Sequence, residues 1–204
     1  MGVIPVADHE LATVVTTLEM RERPRPRPFP PSALRLQRWE RPAPDAYRTL
    51  FRRVGSHWLW FSRLLLDDAA LIAATHAPGT AIFAAQDRAG IEVGLLELNL
   101  SRPDLTEIRY LALVPELVGR GHGGWLMAHA MAHGWRAGVG CIRVRTASLD
   151  HPRALGFYRA QGFEPVSRVV ETFPDPRVIG LLPPDAAPQI PRLAPVNARS
   201  LAAT

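Results

Sequence analysis

The spacing of hydrophobic positions changes along the chain, and each change marks a predicted element. Apolar and polar residues alternate over Ala33–Trp39, which predicts a half-buried strand that opens the folded domain. From Asp45 to Gly55 the apolar residues recur every three or four positions, which predicts a helix, and a second helical stretch is predicted over Trp58–Thr75. Leu11–Met20 is rich in β-branched residues and is a candidate for an earlier strand.

The rest of the chain predicts a sheet combined with two further helices. Apolar runs bounded by turn residues indicate strands, and a helical spacing of large apolar residues follows a glycine-rich loop. The predicted strands cover Thr80–Gln86, Ile91–Leu100, Glu107–Val114, Cys141–Thr146 and Val166–Phe173, and the predicted helices cover Trp125–Trp135 and Pro152–Gln161. The expected order within the domain is β, αα, βββ, α, β, α, β.

Proline marks the segments outside that domain. Arg21–Pro31 alternates arginine with proline, which excludes a helix or an inner strand and predicts an extended linker. After Phe173 the chain is rich in proline and alanine, so a loosely ordered tail is expected from about Pro183. The expected division is residues 1–32 for an N-terminal strand and linker, 33–173 for the domain and 174–204 for the tail.

The positive charge is concentrated near the N-terminus. The net charge is +5, all 24 positive side chains are Arg, and ten of them lie in residues 21–53 beside three acidic residues. The remaining chain is therefore slightly negative and presents no general surface for polyanions. The basic stretch lacks a recognisable reading helix or aromatic ladder, so nucleic-acid binding is disfavoured, although it stays an alternative.

Cysteine usage and hydropathy predict the compartment. Cys141 is the single cysteine, so the chain cannot assemble a disulfide framework or a cysteine-based zinc site within itself. No apolar run approaches the ~20 residues that cross a bilayer, and the N-terminus lacks the charged-then-apolar order of a signal peptide. A soluble, cytoplasmic protein with no membrane partner is expected.

The strongest chemical signal is the glycine-rich loop Val118–Gly124, which follows a predicted strand and opens a predicted helix. Backbone N–H groups of such a loop converge on one point, and the helix N-terminus adds partial positive charge, so the loop can hold a pyrophosphate. It does not end in the Lys-Ser/Thr of a nucleotide P-loop, and no repeated βαβ series with an acidic ribose ligand accompanies it.

Three blocks in order resemble the GNAT superfamily of N-acetyltransferases. Glu107–Pro115 is similar to the family's bulged cofactor strand, Gly119–Gly123 to its pyrophosphate loop, and Ala154–Phe163 to its Ala-x-x-x-Tyr-x-x-x-Gly-Phe helix. The resemblance implies an α+β fold with a mixed, largely antiparallel, V-split sheet flanked by helices. It also implies acetyl-CoA as co-substrate and no metal.

The resemblance places roles on particular residues. The cofactor-binding residues would be Leu111, Leu113, Gly119, Arg120, Gly121, His122, Gly123, Gly124 and His151. An amide near Leu111 or Leu113 would stabilise the oxyanion, Tyr158 would protonate the departing thiolate, and Glu107 would remove a proton from the amine, directly or through a water. Trp58, Trp60 and Tyr110 are the candidate acceptor-site residues, since the family places its acceptor beside the early helices.

Two positions depart from the family's pattern. Val118 stands where Gln or Arg is usual, so one side-chain contribution to the phosphate site is missing and Arg120 is a candidate to replace it. His151 stands where many members have Asn. His129 and His133 share a helix face, but no carboxylate lies between them as in a zinc protease motif, so a solvated face is favoured over a metal pair.

The sequence therefore predicts an N-acetyltransferase that transfers the acetyl group of acetyl-CoA directly to an amine. The acceptor, a small-molecule or peptide amine, is unidentified, because fold does not determine substrate. The alternative is a non-catalytic acyl-CoA-binding sensor or interaction module that recruits a partner through the Arg-Pro segment. Dimers are common in the family, and the oligomeric state stays open between monomer and homodimer.

Overall fold

In the computed structural model, which describes residues 2–25 and 27–193, helices pack against one seven-stranded sheet. The strands are β1 (Glu10–Met20), β2 (Arg35–Trp39), β3 (Thr80–Gln86), β4 (Glu92–Asn99), β5 (Leu105–Leu113), β6 (Cys141–Ala147) and β7 (Glu164–Pro174). The helices are α1 (Pro44–Gly55), α2 (Asp68–Thr75), α3 (His122–Gly134) and α4 (Ala154–Ala160). The α+β class and the predicted order of elements are confirmed.

The sheet splits between its two parallel strands. The spatial order is β2-β3-β4-β5-β6-β1-β7, and β5 and β6 run parallel while every other neighbouring pair is antiparallel. The parallel pairing joins Leu105–Ile108 to Cys141–Val144 and ends there, although both strands continue. The largely antiparallel, V-split sheet is therefore confirmed, and the split opens beyond Ile108.

The core forms where α1 and α3 pack against β4 and β5. The periodic apolar residues of α1, namely Tyr47, Leu50, Phe51 and Val54, are at most 2% exposed, as their helical spacing predicted. Full burial of each such side chain stabilises the fold by about 1.5–3 kcal/mol. No helix in residues 2–25 and 27–193 has the length and apolar character that crossing a membrane requires.

The helix predicted over Trp58–Thr75 is wrong in its first half. Leu59 is 2% exposed and takes a left-handed φ of 55°, which ends a short 3₁₀ turn and sends the chain into an irregular segment. The α-helix starts only at Asp68, where the Asp67 carboxylate accepts a hydrogen bond from the Ala70 N–H at 2.7 Å. Aromatic residues at helical spacing here pack as a wall and do not extend a helix.

The sheet and its contacts extend beyond residues 33–173 at both ends. β1 lies between β6 and β7 as an inner strand, so the sheet is not contained in residues 33–173. On the other side, the Asp175–Arg177 ion pair is buried at 2.7 Å, and the Arg177 guanidinium also donates to carbonyl oxygens of residues 186–190. The chain is therefore anchored as far as residue 190, in contrast to the loose order expected from about Pro183. Residues 194–204 of the predicted tail lie outside the described residues.

Candidate active site

Two cavities meet at the split in the sheet. The loop cavity, of about 700 Å³, is lined by the end of β5, the glycine-rich loop and the start of α4. The aromatic cavity, of about 630 Å³, lies beside it and is lined by residues 58–62 and by parts of β5, β6 and β7. Trp58, Trp60 and Asp150 line both cavities, so these three residues mark the junction.

Most of the predicted cofactor residues line the loop cavity. They are Leu111, Leu113, Gly119, Gly121, Gly123, Gly124 and His151. Arg120 is exposed and does not line this cavity, and the His122 ring lies 2.9 Å from the Ser32 hydroxyl through Nδ1. The side chains of Arg120 and His122 therefore do not face the cavity in this conformation.

The backbone of the glycine-rich loop lines the cavity. Gly119 and Gly121 have φ values of 82° and 87°, a left-handed conformation that other residues adopt only with strain. Gly121 caps α3 without a side-chain hydrogen bond. The first N–H groups of a helix have no partner within the helix, so this end of α3 offers donors and partial positive charge to an anion.

The edge of β5 contributes further free amides. A register shift opposite Glu97 leaves Arg109 as an extra residue, which is the expected bulge. The Val114 N–H donates to the Val93 carbonyl at 2.9 Å, and in an antiparallel pair alternate residues turn their N–H groups away from the partner. The amides of Leu111 and Leu113 therefore face away from β4 and into the split.

Tyr158 places a phenol at the inner wall of the loop cavity. It lies on α4 and is 8% exposed. Burial, and after it the negative charge of Asp150, raises the pKa of the Tyr158 phenol above its usual value. The group is therefore a neutral proton donor near pH 7.

Arg153 is a cation of the loop cavity that the sequence did not reveal. Its guanidinium lies against the glycine-rich loop, because a Cβ added at Gly119 would meet Nη2 of Arg153 at 3.1 Å. The Arg153 N–H donates to Nδ1 of His151 at 3.0 Å, and burial followed by the charge of Arg153 lowers the pKa of His151. The neutral His151 ring and the charged Arg153 side chain therefore stand together at this wall.

The aromatic cavity contains all three predicted acceptor-site residues. Trp58, Trp60 and Tyr110 line it together with Phe61 and Phe173. The ring centroids of Trp60 and Tyr110 lie 5.2 Å apart, and those of Phe61 and Phe173 lie 4.9 Å apart. These contacts fix flat apolar walls around the cavity.

Glu107 lines the aromatic cavity only. Its side chain is 32% exposed, accepts a hydrogen bond from the Asn99 amide at 2.9 Å and lies 3.4 Å from the Arg109 guanidinium. A partly exposed carboxylate that lines a cavity is a candidate general base.

Asp150 was missed by the sequence analysis and stands at the junction of the cavities. Oδ1 accepts a hydrogen bond from the Trp60 indole N–H at 3.0 Å. Oδ2 accepts from the Thr146 hydroxyl at 2.9 Å and from the Ala147 N–H at 2.8 Å. In the sequence, Asp150 is a single acidic residue shortly after a predicted strand, and the family's pattern points to the next residue, His151.

A buried polar cluster supports the wall of the aromatic cavity. Glu97 is 1% exposed, accepts a hydrogen bond from the Tyr47 phenol at 2.5 Å and forms an ion pair with Arg63. Burial works to lower the pKa of the Arg63 guanidinium, but the charge of Glu97 and the nearby phenols leave that pKa raised. Arg63 also lies over the Tyr110 ring, 5.6 Å from its centroid.

The histidines on α3 make aromatic contacts. The His129 ring lies 4.6 Å from Phe29 and 4.8 Å from Trp125, and His133 stacks on Phe83 at 4.4 Å. The solvated face expected for this pair is therefore partly covered by aromatic rings. Among the residues that the structure describes, no group of three or more His, Cys, Asp or Glu side chains is placed to hold a metal ion.

Known proteins share the fold of this chain. Residues 78–165 match the family described as "Acetyltransferase (GNAT) domain", and no curated protein matches the sequence significantly. A GCN5-related N-acetyltransferase from Sphaerobacter thermophilus aligns with a TM-score of 0.60 at 13% identity, over 80% of this chain and 52% of that one. A functionally unknown conserved protein from Staphylococcus epidermidis aligns with a TM-score of 0.55 at 14% identity, over 81% of this chain and 63% of that one.

AAC(6')-Iy, solved in complex with the bisubstrate analog CoA-S-monomethyl-acetylneamine, aligns with a TM-score of 0.53 at 21% identity. That alignment covers 68% of this chain and 95% of AAC(6')-Iy. The chain spans less than two thirds of the Sphaerobacter and Staphylococcus proteins. At these identities the solved structures establish a shared fold.

Proposed function

We propose that this chain, of which residues 78–165 match the GNAT acetyltransferase domain, transfers the acetyl group of acetyl-CoA directly to an amine. One observation carries the proposal: the sheet splits beside a glycine-rich loop, and a cavity for each substrate opens on either side of Trp60 and Asp150. The acetyl-CoA would lie in the loop cavity and the acceptor in the aromatic cavity.

The lining of the loop cavity supports binding of the cofactor there. The amides of Gly119–Gly124 would hold the pyrophosphate, and the free edge of β5 at Leu111 and Leu113 would pair with the pantetheine arm as an added strand does. Arg153 would supply the cation that is missing at Val118, because its guanidinium already lies beside Gly119.

We propose the following chemistry for these residues. The amine nitrogen attacks the thioester carbonyl carbon, the C–N bond forms, and the C–S bond breaks. An amide of Leu111 or Leu113 stabilises the oxyanion, and Tyr158 gives its proton to the thiolate. Glu107, held by Asn99 and Arg109, receives the proton of the amine through a water.

Arg153→Ala is expected to raise the Kd of CoA about tenfold, since a charge-assisted contact to phosphate is lost. Calorimetric titration measures this change. Arg159→Ala, an exposed arginine at the other end of α4, is the matched control and should bind CoA normally. Pantetheine lacks the phosphates, so equal weakening of CoA and pantetheine would argue against a phosphate contact.

The raised pKa of Tyr158 has a consequence for the pH profile. Because the shift is upward, the phenol keeps its proton as pH rises through the value of about 10 at which a free tyrosine ionises. We therefore expect no loss of kcat through phenol ionisation between about pH 8 and 10. A kcat profile in matched buffers, in which a decline near pH 9 tracks phenolate absorbance, would contradict this assignment.

The function itself is tested by thiol release from acetyl-CoA in the presence of a panel of primary amines. Amine-dependent release, with the acetylated amine detected by mass spectrometry, is the expected result. Binding of CoA without turnover on any amine would favour the acyl-CoA-binding sensor.

We also propose a compartment and an oligomeric state for the protein. The single cysteine, Cys141, favours a reducing compartment such as the cytoplasm. A homodimer would find apolar surface on β7, an edge strand where Val166, Val169 and Val170 are 49–58% exposed.

A further inference from the structure

We propose that Asp150 binds the acceptor as a primary ammonium ion, and that the acceptor carries this ammonium on a flat apolar body without an adjacent carboxylate. The inference deepens the proposed function and rests on it, since it assigns the loop cavity to acetyl-CoA. It gives the junction of the two cavities a defined ligand chemistry.

The hydrogen bonds of Asp150 leave capacity for one more donor. A carboxylate has about four acceptor sites, two on each oxygen. Oδ2 receives two donors, from Thr146 and Ala147, whereas Oδ1 receives only the Trp60 indole. One acceptor site on Oδ1 therefore remains for a substrate N–H, at the residue that borders both cavities.

Charge also distinguishes Asp150 from the other carboxylates of the aromatic cavity. Glu107 lies beside Arg109, and Glu171 forms an ion pair with Arg145. Within residues 2–25 and 27–193, Asp150 forms no such pair with an arginine. A cationic ligand would compensate the charge of Asp150, because a partly buried charge without a counterion is energetically unfavourable.

The walls define the body of the ligand. Trp60 contacts Asp150 through its N–H and Tyr110 through its ring, so the carboxylate lies at the end of an aromatic wall. A cavity of about 630 Å³ with such walls favours a flat apolar body, and aromatic faces also attract an ammonium.

The arginines of the aromatic cavity disfavour an acceptor that has a carboxylate next to its amine. Arg109, Arg143 and Arg145 all line it, and each already pairs with a glutamate. A carboxylate next to the amine would therefore meet only arginines whose charge a glutamate already offsets, and it would face the charge of Asp150. Free amino acids should be poor acceptors.

The test is calorimetric titration of the full chain with three probes: 2-phenylethylamine, 2-phenylethanol and phenylalanine. The amine is expected to bind at least about tenfold more tightly than the alcohol or the amino acid, as one charge-assisted hydrogen bond implies. Asp150→Asn should remove the preference for the amine over the alcohol. Glu164→Gln, which removes the same charge at an exposed position outside both cavities, should keep it.

The wild-type comparison decides the question even if Asp150→Asn fails to fold. Equal binding of amine and alcohol, or no binding of the amine, overturns the inference. Parallel titration with CoA separates the two claims. If the chain binds CoA but shows no preference for the amine, the proposed function stands and the inference about Asp150 fails. If it shows an Asp150-dependent preference for the amine but does not bind CoA, the ammonium site stands and the proposed function fails.

Discussion

Tyr158→Phe is expected to lower kcat about a hundredfold, because the variant keeps the ring on α4 and loses the proton donor for the departing thiolate. Tyr158 is 8% exposed, so the phenyl ring should fill the same space. The Kd of acetyl-CoA should change less than threefold, since the phosphate loop and the edge of β5 are untouched. Steady-state kinetics with a saturating amine, together with calorimetry, measures both quantities.

Tyr47→Phe provides the matched control, because it removes a buried phenol hydroxyl away from both cavities. Tyr47 donates to Glu97, so its loss should cost about 1–2 kcal/mol of unfolding free energy and leave kcat within about threefold below the melting temperature. Equal kcat in the wild type and Tyr158→Phe would remove Tyr158 from the mechanism.

Glu97→Gln is expected to lower the free energy of unfolding by about 3 kcal/mol. The change leaves the charge of Arg63 without its carboxylate, and Arg63 has a side chain only 13% exposed. Arg63 also packs over Tyr110, so the wall of the aromatic cavity should loosen and the KM for the amine should rise. Urea denaturation followed by tryptophan fluorescence measures the loss.

Glu164→Gln makes the same chemical change at an exposed position that opens β7. Its free energy of unfolding should stay within about 0.5 kcal/mol of the wild type. Similar losses in the two variants would mean that the buried cluster around Glu97 does not stabilise the wall.

The predictable part of the fold was the part set by local periodicity. The spacing of Tyr47, Leu50 and Phe51 predicted α1, and the alternation in Ala33–Trp39 predicted β2, because burial on one side imposes the period of the element. The family's motifs predicted the split sheet, since they fix which strand precedes the loop.

Non-local contacts were not predictable in the same way. β1 finds its partners in β6 and β7, more than 120 residues later, and nothing in Leu11–Met20 specifies them. The contact that anchors the C-terminal segment joins Arg177 to carbonyl groups of residues 186–190, and a proline-rich composition gives no sign of it.

The same distinction between local and non-local signals applies to the residues of the candidate site. Glycine spacing and the tyrosine motif predicted the loop cavity residues, because those motifs are continuous in sequence. Asp150 and Arg153 could be recognised as site residues only from the structure, because the residues they contact, Trp60 and Gly119, come from distant parts of the chain. A family motif that highlights His151 and Tyr158 does not mark the residues between and beside them.

The most direct test of the central claim is a calorimetric titration with acetyl-CoA, CoA and ATP in parallel at moderate salt. The loop cavity should bind acetyl-CoA and CoA with micromolar Kd and leave ATP unbound, because the split in the sheet holds the pantetheine arm that ATP lacks. Absence of CoA binding, or equal affinity for ATP, would contradict an acetyl-CoA-dependent enzyme.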